Sequence, residues 1–212
     1  TTTLLLIVLG AIIIFASEYH NSLANYSLAN KSLVAYFQSV TTRTAGFNTI
    51  DLNYFRSSTL FLLIILMYIG ASPGSTGGGI KTSTFSLILL RTWNTLRSKD
   101  KANFAKRTIS NENTLKALSI IFLSAITISV VFFIILTFEN HSFLANLFET
   151  VSAFGTVGLS LGITKDLSNV GRIAIMILMF IGRLGPLTIA FALSRQKPKT
   201  NYSYPEENVL IA

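Results

Sequence analysis

Cysteine is absent from the 212-residue sequence, which excludes a disulfide, a thiolate metal site and a cysteine nucleophile. Charge is also scarce, because only 12% of the residues are Asp, Glu, Lys or Arg, against about 25% in a soluble domain. Half of the residues are hydrophobic, the mean hydropathy is +0.57, and the apolar residues fall in several long runs. This composition argues against a soluble enzyme and a disordered chain, and predicts an all-α polytopic membrane protein.

The net charge is +8, and the positions of the basic residues are typical of a membrane protein rather than of a nucleic-acid-binding protein. Nine of the 17 basic residues fall in one polar segment between apolar runs and in the stretch after the last run: Arg91, Arg97, Lys99, Lys101, Lys106, Arg107, Arg195, Lys197 and Lys199. Basic residues beside spans mark the cytoplasmic side. We therefore expect a multi-pass protein of the cell membrane, with the loop 93–113 and the tail 196–212 cytoplasmic and no nucleic-acid partner.

Four apolar regions are predicted to cross the lipid bilayer, at 1–16, 57–90, 114–138 and 169–193. The first is shorter than the ~20 residues that a span needs, and it lacks the basic start and cleavage site of a signal peptide. We interpret it as a truncated span, and expect the natural protein to extend further toward its N-terminus.

The second region is interrupted by a glycine-rich segment, 70–81. An unbroken helix over 57–90 would reach about 51 Å, well beyond a ~30 Å hydrocarbon core. The interruption therefore predicts two helices of roughly half the membrane thickness, separated by irregular backbone.

The sequence contains an internal repeat: a span, a short apolar run, an irregular Gly-containing loop and a second span occur twice. Residues 44–48 align with 156–160 at a shift of 112 positions, and the short runs 31–42 and 143–154 precede them as re-entrant helices. The predicted units are a first pore repeat at 1–92, the cytoplasmic loop at 93–113, a second pore repeat at 114–195 and the tail at 196–212.

The two loops carry the chemistry of a cation pathway. Irregular backbone inside a membrane is tolerated where it lines a wet cavity, and a ring of backbone carbonyls can replace the hydration shell of a monovalent cation. The candidate filter residues are Thr44, Ala45, Gly46, Phe47, Asn48, Thr156, Val157, Gly158, Leu159 and Ser160. Two loops cannot close a fourfold ring, so two more are expected from a missing half of the same polypeptide or from a second chain.

Four segments, TTRTAGFNTID, GASPGSTGGGIKT, SAFGTVGLSLGIT and IGRLGP, together resemble the third and fourth pore repeats of the Trk/Ktr/HKT potassium transporter superfamily. Within it, the closest resemblance is to the KtrB-type membrane subunits of bacterial Ktr systems. The resemblance implies K⁺ uptake, stimulation by Na⁺ in the symport manner of the family, four span–pore helix–filter–span repeats as in K⁺ channels, and a homodimer. It also implies a cytosolic KtrA-like ring that alone binds nucleotide, with no covalent cofactor, no metal other than the transported ion and no catalysed reaction.

The same resemblance assigns a gate below the filter. Its residues would be Gly70, Ala71, Ser72, Pro73, Gly74, Ser75, Thr76, Gly77, Gly78, Gly79 and Lys81 of the interrupted span, together with Arg183 as a positively charged constriction. A K⁺-channel filter has a second glycine where this chain has Asn48 and Ser160. Conduction of Na⁺ or of mixed monovalent cations therefore stays open as an alternative, as does an alternating-access carrier with a site at the broken helix.

Several residues have a structural alternative. The glycine-rich segment also resembles a phosphate-binding P-loop, but Ile80 breaks the spacing and no strand precedes it. Arg183 could form a structural ion pair, and Lys81 could extend to the membrane surface. Glu149 could steer cations or form a buried hydrogen bond, and Thr42, Thr44 and Thr156 could face the filter or pack within the short helices.

Overall fold

The structure is a computed structural model that describes residues 2–97, 103–104, 107–108, 110–186 and 188. This part of the chain contains seven α-helices: α1 (Thr2–Glu18), α2 (Leu28–Thr41), α3 (Ser57–Tyr68), α4 (Thr82–Leu96), α5 (Asn111–Phe138), α6 (Phe143–Gly155) and α7 (Asn169–Leu184). The prediction of a helical fold is confirmed. The one departure is a two-residue antiparallel pair, β1 (Asn103–Phe104) with β2 (Arg107–Thr108), in the basic loop.

Serine determines where several of these helices begin. The side-chain oxygens of Ser27, Ser110, Ser142 and Ser168 accept a hydrogen bond from the backbone N–H three residues later, at the start of α2, α5, α6 and α7. Such a cap satisfies one of the four N–H groups that have no partner within the helix.

The helices differ greatly in length. Of the helices in the described ranges, α5 alone, with 28 residues, is long and apolar enough to cross a membrane. The α1 and α3 helices are apolar but have 17 and 12 residues. The α7 helix ends at Leu184, because Gly185 has a φ of 86°. The remainder of the predicted fourth span, except 186 and 188, and the tail 196–212 lie outside the described residues.

The core of the fold surrounds α6. Ten of the 13 residues of this helix are buried, including Phe148 and Phe154, which have no exposed surface. The α6 helix packs against α3, α5 and α7, while α2 packs mainly against α1. A helix buried on nearly all sides is held in a fixed position, and so is the loop that follows it.

Large apolar side chains cover the outer surfaces of the long helices. Phe122 and Phe133 on α5, and Ile177 and Phe180 on α7, are each more than half exposed. So much exposed apolar surface is unfavourable in water and suits an apolar surrounding such as lipid or another protein subunit.

Two buried glutamates each connect the end of one helix to the start of another. Glu18, at the end of α1, accepts hydrogen bonds from the backbone N–H of Arg56 and the hydroxyl of Thr59 at the start of α3. Glu139, after α5, accepts from the backbone N–H and the hydroxyl of Ser168 at the start of α7, at 3.0 and 2.6 Å. A carboxylate is favoured there, because a helix N-terminus offers free N–H groups and the positive end of its dipole.

We expect Glu18→Ala to lower the free energy of unfolding of the full-length protein in detergent by about 2–4 kcal/mol. The substitution leaves the donors of Arg56 and Thr59 without their acceptor, and also those of Asn21 and Ser22. Thermal unfolding measures the effect. Glu112→Ala is the control, because Glu112 forms only an exposed i,i+4 ion pair with Lys116 and should change little. Equal effects of the two substitutions would contradict the capping role.

Candidate functional site

The first of the two predicted loops, the first TxG loop (residues 44–48), begins just after α2 ends. Thr44 has a φ of 65°, which a residue with a side chain rarely adopts, and Gly46 has a φ of 74°. The hydroxyl of Thr41, in the last turn of α2, donates to the carbonyl of Phe47 at 2.8 Å and accepts from its N–H at 2.9 Å. The loop is therefore tied back onto the end of its own helix.

The second TxG loop (residues 156–160) follows α6 directly, whereas two residues separate the first loop from α2. Thr156 has a φ of 50° and Gly158 a φ of 91°. The hydroxyl of Ser152, in the last turn of α6, donates to the carbonyl of Leu159 at 2.6 Å. Since both loops share the left-handed threonine, the glycine two residues later and the hydroxyl-to-carbonyl bond, the alignment at a shift of 112 positions pairs residues in the same local geometry.

The two TxG loops lie against each other at their glycines. A Cβ atom built on Gly46 would collide with the carbonyl oxygen of Val157, and one built on Gly158 would lie 3.7 Å from the Cα of Gly46. Gly46 is thus required twice, once by its positive φ and once by this close approach.

The exposure of the two loops differs. Val157 and Leu159 are 3% and 2% exposed and pack into the core, whereas Phe47 is 70% exposed and Ala45 and Asn48 are also exposed. The second loop is therefore supported from behind by this chain, while much of the first loop is not covered by the described residues.

The glycine-rich loop (residues 70–81) lies directly beside both TxG loops. The backbone N–H of Gly78 donates to the hydroxyl of Thr156 at 3.0 Å, and a Cβ on Gly77 would lie 2.8 Å from the hydroxyl oxygen of Thr44. The predicted gate residues and the predicted filter residues are thus in contact, although about 80 residues separate Gly78 from Thr156 in the sequence.

The two ends of the glycine-rich loop are joined to each other. Ile69 and Ile80 form an isolated parallel bridge, in which the N–H of Ile80 donates to the carbonyl of Tyr68 at 3.1 Å. Gly70 lies so close to Gly78 that a Cβ at position 70 would collide with the Gly78 carbonyl. The exposed tip consists of Pro73, Gly74, Ser75 and Thr76, while Ala71 and Ser72 are half-buried. A helix, α3, precedes this loop where a P-loop requires a strand.

Lys81 and Arg183 lie on the same side of this loop. The Lys81 ammonium donates to the carbonyls of Gly77 and Ser75, at 2.6 and 3.0 Å, so its side chain turns back onto the glycine-rich loop. Arg183 is exposed and shares with Lys81 and Gly79 a cavity of about 210 Å³. No carboxylate of the described ranges pairs with Arg183, so the structural ion-pair alternative finds no partner there.

The hydroxyl of Thr42 does not face a loop. It is buried and donates to the carbonyl of Ser39 at 2.7 Å, within the end of α2. Of the three threonines considered from the sequence, Thr42 therefore packs in the helix, while Thr44 and Thr156 contact the glycine-rich loop.

Glu149 supports the second TxG loop from the side. This carboxylate is 6% exposed and accepts from the hydroxyls of Ser160, at 2.8 Å, and Thr164. A cavity of about 270 Å³ adjoins these groups. Gln38 occupies the corresponding position of α2, but its fully buried amide has no hydrogen-bond partner among the described residues.

Arg43 is a site residue that the sequence analysis missed. Arg43 immediately precedes Thr44 in the sequence. Its guanidinium donates to the carbonyls of Ile69 and Gly70, at 3.3 and 3.2 Å. The sequence signal that could have identified Arg43 is its charge, because it stands directly beside the uncharged loop motif 44–48. His20 and His141 take part in no cluster of metal ligands within the described ranges.

We expect Glu149→Leu to loosen the second TxG loop, because the hydroxyls of Ser160 and Thr164 lose their shared acceptor, at a cost of about 1–3 kcal/mol. Amide hydrogen exchange over 160–166 should become faster in the full-length protein. Gln38→Leu is the matched control in α2, and should leave exchange over 44–48 unchanged, since the amide that it removes has no partner. Unchanged exchange over 160–166 in Glu149→Leu would contradict the support role.

Comparison with known proteins identifies the family. Residues 1–204 match the family model TrkH, described as a cation transport protein. The chain is 42% identical over 210 residues to the Ktr system potassium uptake protein B of Vibrio alginolyticus, covering 98% of this chain and 46% of that protein. It is 44% identical over 206 residues to the Ktr system potassium uptake protein D of Bacillus subtilis (strain 168), covering 97% and 46%.

A further relative and a solved structure agree with this result. The potassium/sodium uptake protein NtpJ of Enterococcus hirae is 36% identical over 219 residues, with 100% of this chain and 48% of that protein covered. The crystal structure of the potassium transporter TrkH from Vibrio parahaemolyticus shares the fold, with a TM-score of 0.78, 21% identity and coverage of 91% of this chain and 43% of that chain. The chain spans about half the length of the curated relatives it matches. The family predicted from the four motifs is confirmed, and the chain belongs to the TrkH family of cation transport proteins.

Proposed function

We propose that this chain forms two of the four walls of a K⁺-conducting pore in a K⁺ uptake protein. The relatives named as potassium uptake proteins support this proposal. In it, the two TxG loops are strands of the selectivity filter, the glycine-rich loop and Arg183 form the gate, and two further pore repeats precede this part in the same polypeptide.

One observation carries the proposal: two short helices are each followed by a left-handed threonine, and the loops that begin there meet at Gly46 and Gly158. With 14 and 13 residues, α2 and α6 are each about 20 Å long, close to half the membrane thickness. Each loop begins at the C-terminal, electronegative end of its helix, which favours a cation.

The hydroxyl-to-carbonyl bonds explain how a filter made of a few carbonyls could hold its shape. Thr41 and Ser152 each bind the carbonyl of the residue that follows the loop glycine, so that carbonyl is occupied and the loop cannot collapse into the pore. The other carbonyls of each loop are then available to replace the water around a dehydrated ion.

The glycine-rich loop is suited to gating because its two ends are joined to each other and its tip is exposed. Its carbonyls at Ser75 and Gly77 bind the Lys81 ammonium, and Arg183 faces the same cavity. Two positive charges beside the ion path oppose the passage of a cation, and displacement of the tip would remove this barrier.

The remaining proposals concern the whole protein. We propose a homodimer in the cell membrane, with the loop 93–113 and the C-terminus in the cytoplasm, regulated by a KtrA-like nucleotide-binding ring and stimulated by Na⁺. The names of the Ktr relatives, which refer to a system, support a multi-component assembly.

The second candidate is conduction of Na⁺ or of mixed monovalent cations. Asn48 and Ser160 stand where a K⁺ channel filter has its second glycine, and one relative is named as a potassium/sodium uptake protein. An alternating-access carrier with a site at the broken helix is a third candidate.

The full-length protein should restore K⁺-limited growth and Rb⁺ uptake in a bacterial host without K⁺ uptake systems, and Gly158→Ser should reduce uptake by at least about tenfold. A side chain at this φ of 91° is strained by about 1–3 kcal/mol and moves the adjacent carbonyls. Gly162→Ser is the matched control, because Gly162 has nearly the same φ, 93°, and open space around its Cβ position. It should preserve uptake.

The two substitutions separate filter damage from general strain. Equal loss in both would contradict the filter assignment. Absence of rescue by the unmodified protein, with confirmed membrane insertion and a supplied cytosolic partner, would favour Na⁺ conduction, and the same assay with Na⁺ tests that alternative.

Deletion of residues 71–77 should raise the maximum Rb⁺ flux several-fold, since it removes the tip beside the proposed ion path together with the residues that flank it. Arg183→Ala should act in the same direction, because it removes one of the two positive charges of the cavity. Flux into proteoliposomes measures both. Loss of flux with normal assembly would instead indicate a structural role for the loop.

A further inference from the structure

Arg43 is a half-buried cation that the proposed pore mechanism does not yet use. One terminal nitrogen, Nη1, donates to the carbonyl oxygens of Ile69 and Gly70. The other two nitrogens of the guanidinium, Nε and Nη2, are buried and have no hydrogen-bond partner within the described ranges. A buried charged group with unsatisfied donors is unfavourable by itself, so its position calls for an explanation.

The two carbonyls that Arg43 binds belong to the two residues just beyond α3, which ends at Tyr68. A cation is favoured beside the electronegative C-terminal end of a helix. Arg43 therefore connects the end of α2 to the point where the chain leaves α3 and enters the glycine-rich loop.

The bound segment is one half of a narrow neck. Gly70 lies against Gly78, and Ile69 is bridged to Ile80. On the opposite side, the N–H of Gly78 donates to the hydroxyl of Thr156. The neck (residues 69–70 and 78–80) thus lies between the two TxG loops, bound by Arg43 on the first side and by Thr156 on the second.

The tip has no comparable connection to the TxG loops. Pro73, Gly74, Ser75 and Thr76 are exposed, and the Lys81 ammonium binds this tip at the Ser75 carbonyl. Ser72, which precedes the tip, shares a hydroxyl contact with Thr3. The contacts therefore divide the glycine-rich loop into a neck fixed to the TxG loops and a tip that is not.

We propose that Arg43 is a positioning residue that fixes the neck against the first TxG loop, so that opening displaces the tip while the neck stays in place. This inference rests on the proposed function of the glycine-rich loop as a gate. It assigns to Arg43 an effect on the gate that passes through the neck, with no direct contact to the ion.

The test is a double-mutant cycle in the full-length protein, with Arg43→Gln in the presence and in the absence of residues 71–77. With the loop intact, Arg43→Gln should raise the maximum Rb⁺ flux into proteoliposomes roughly fivefold, within the range of coupling found for contacting residues. The apparent K⁺ affinity and the preference for K⁺ over Na⁺ should be unchanged. In the deleted background, Arg43→Gln should add less than about a twofold change.

Two further variants make the result specific. Arg43→Lys keeps the charge but lacks the planar fork, and should give an intermediate flux. Arg172→Gln is the matched control, because Arg172 also donates to a backbone carbonyl, that of Lys165 at 2.8 Å, but outside this site. It should leave the flux unchanged.

A measurement that does not depend on ion conduction, amide hydrogen exchange, tests this inference separately from the proposed function. Amide hydrogen exchange at Ile80 and Thr82, whose N–H groups bind the carbonyls of Tyr68 and Ala71, should become faster in Arg43→Gln. Unchanged exchange would overturn the positioning role even if the protein conducts no K⁺. Equal flux effects in both backgrounds, or a change in K⁺ affinity and selectivity, would overturn it as well, because Arg43 would then act directly on the TxG loop.

Discussion

The hydrogen bond from the last turn of each short helix to the loop that follows it is the constraint on which the rest of the site depends. Thr41 and Ser152 each bind the carbonyl that lies just beyond the loop glycine. This bond forces the chain to reverse within a few residues, and the left-handed threonines at positions 44 and 156 are the result. Such backbone strain persists only where the surrounding contacts determine it, and α6 is surrounded on nearly all sides.

Close backbone approach then explains the glycines. Gly46 meets Val157 and Gly158, Gly70 meets Gly78, and Gly182 meets the carbonyl of Phe154. A side chain at any of these positions would push apart two elements whose carbonyls and N–H groups form the site. The two TxG loops and the neck of the glycine-rich loop are therefore one connected structure.

The two halves of the chain share a glutamate that binds the start of a later helix, but they differ next to the TxG loops. Glu18 and Glu139 bind the starts of α3 and α7 in the same way. In contrast, Glu149 supports the second TxG loop, while the corresponding Gln38 has no partner in the part of the chain that the structure describes. Related sequences can thus adopt the same backbone while one loop is held more firmly than the other.

The sequence by itself determined the helical class, the family and the two loop motifs, because these depend on composition, apolar run length and local residue order. The domain boundaries and the site roles stay predictions. Only the tertiary structure decided that Gly78 binds Thr156 and that Arg43 reaches the carbonyls just beyond α3. These facts depend on how α2, α3 and α6 pack, and residues tens of positions apart meet through packing that no local pattern specifies.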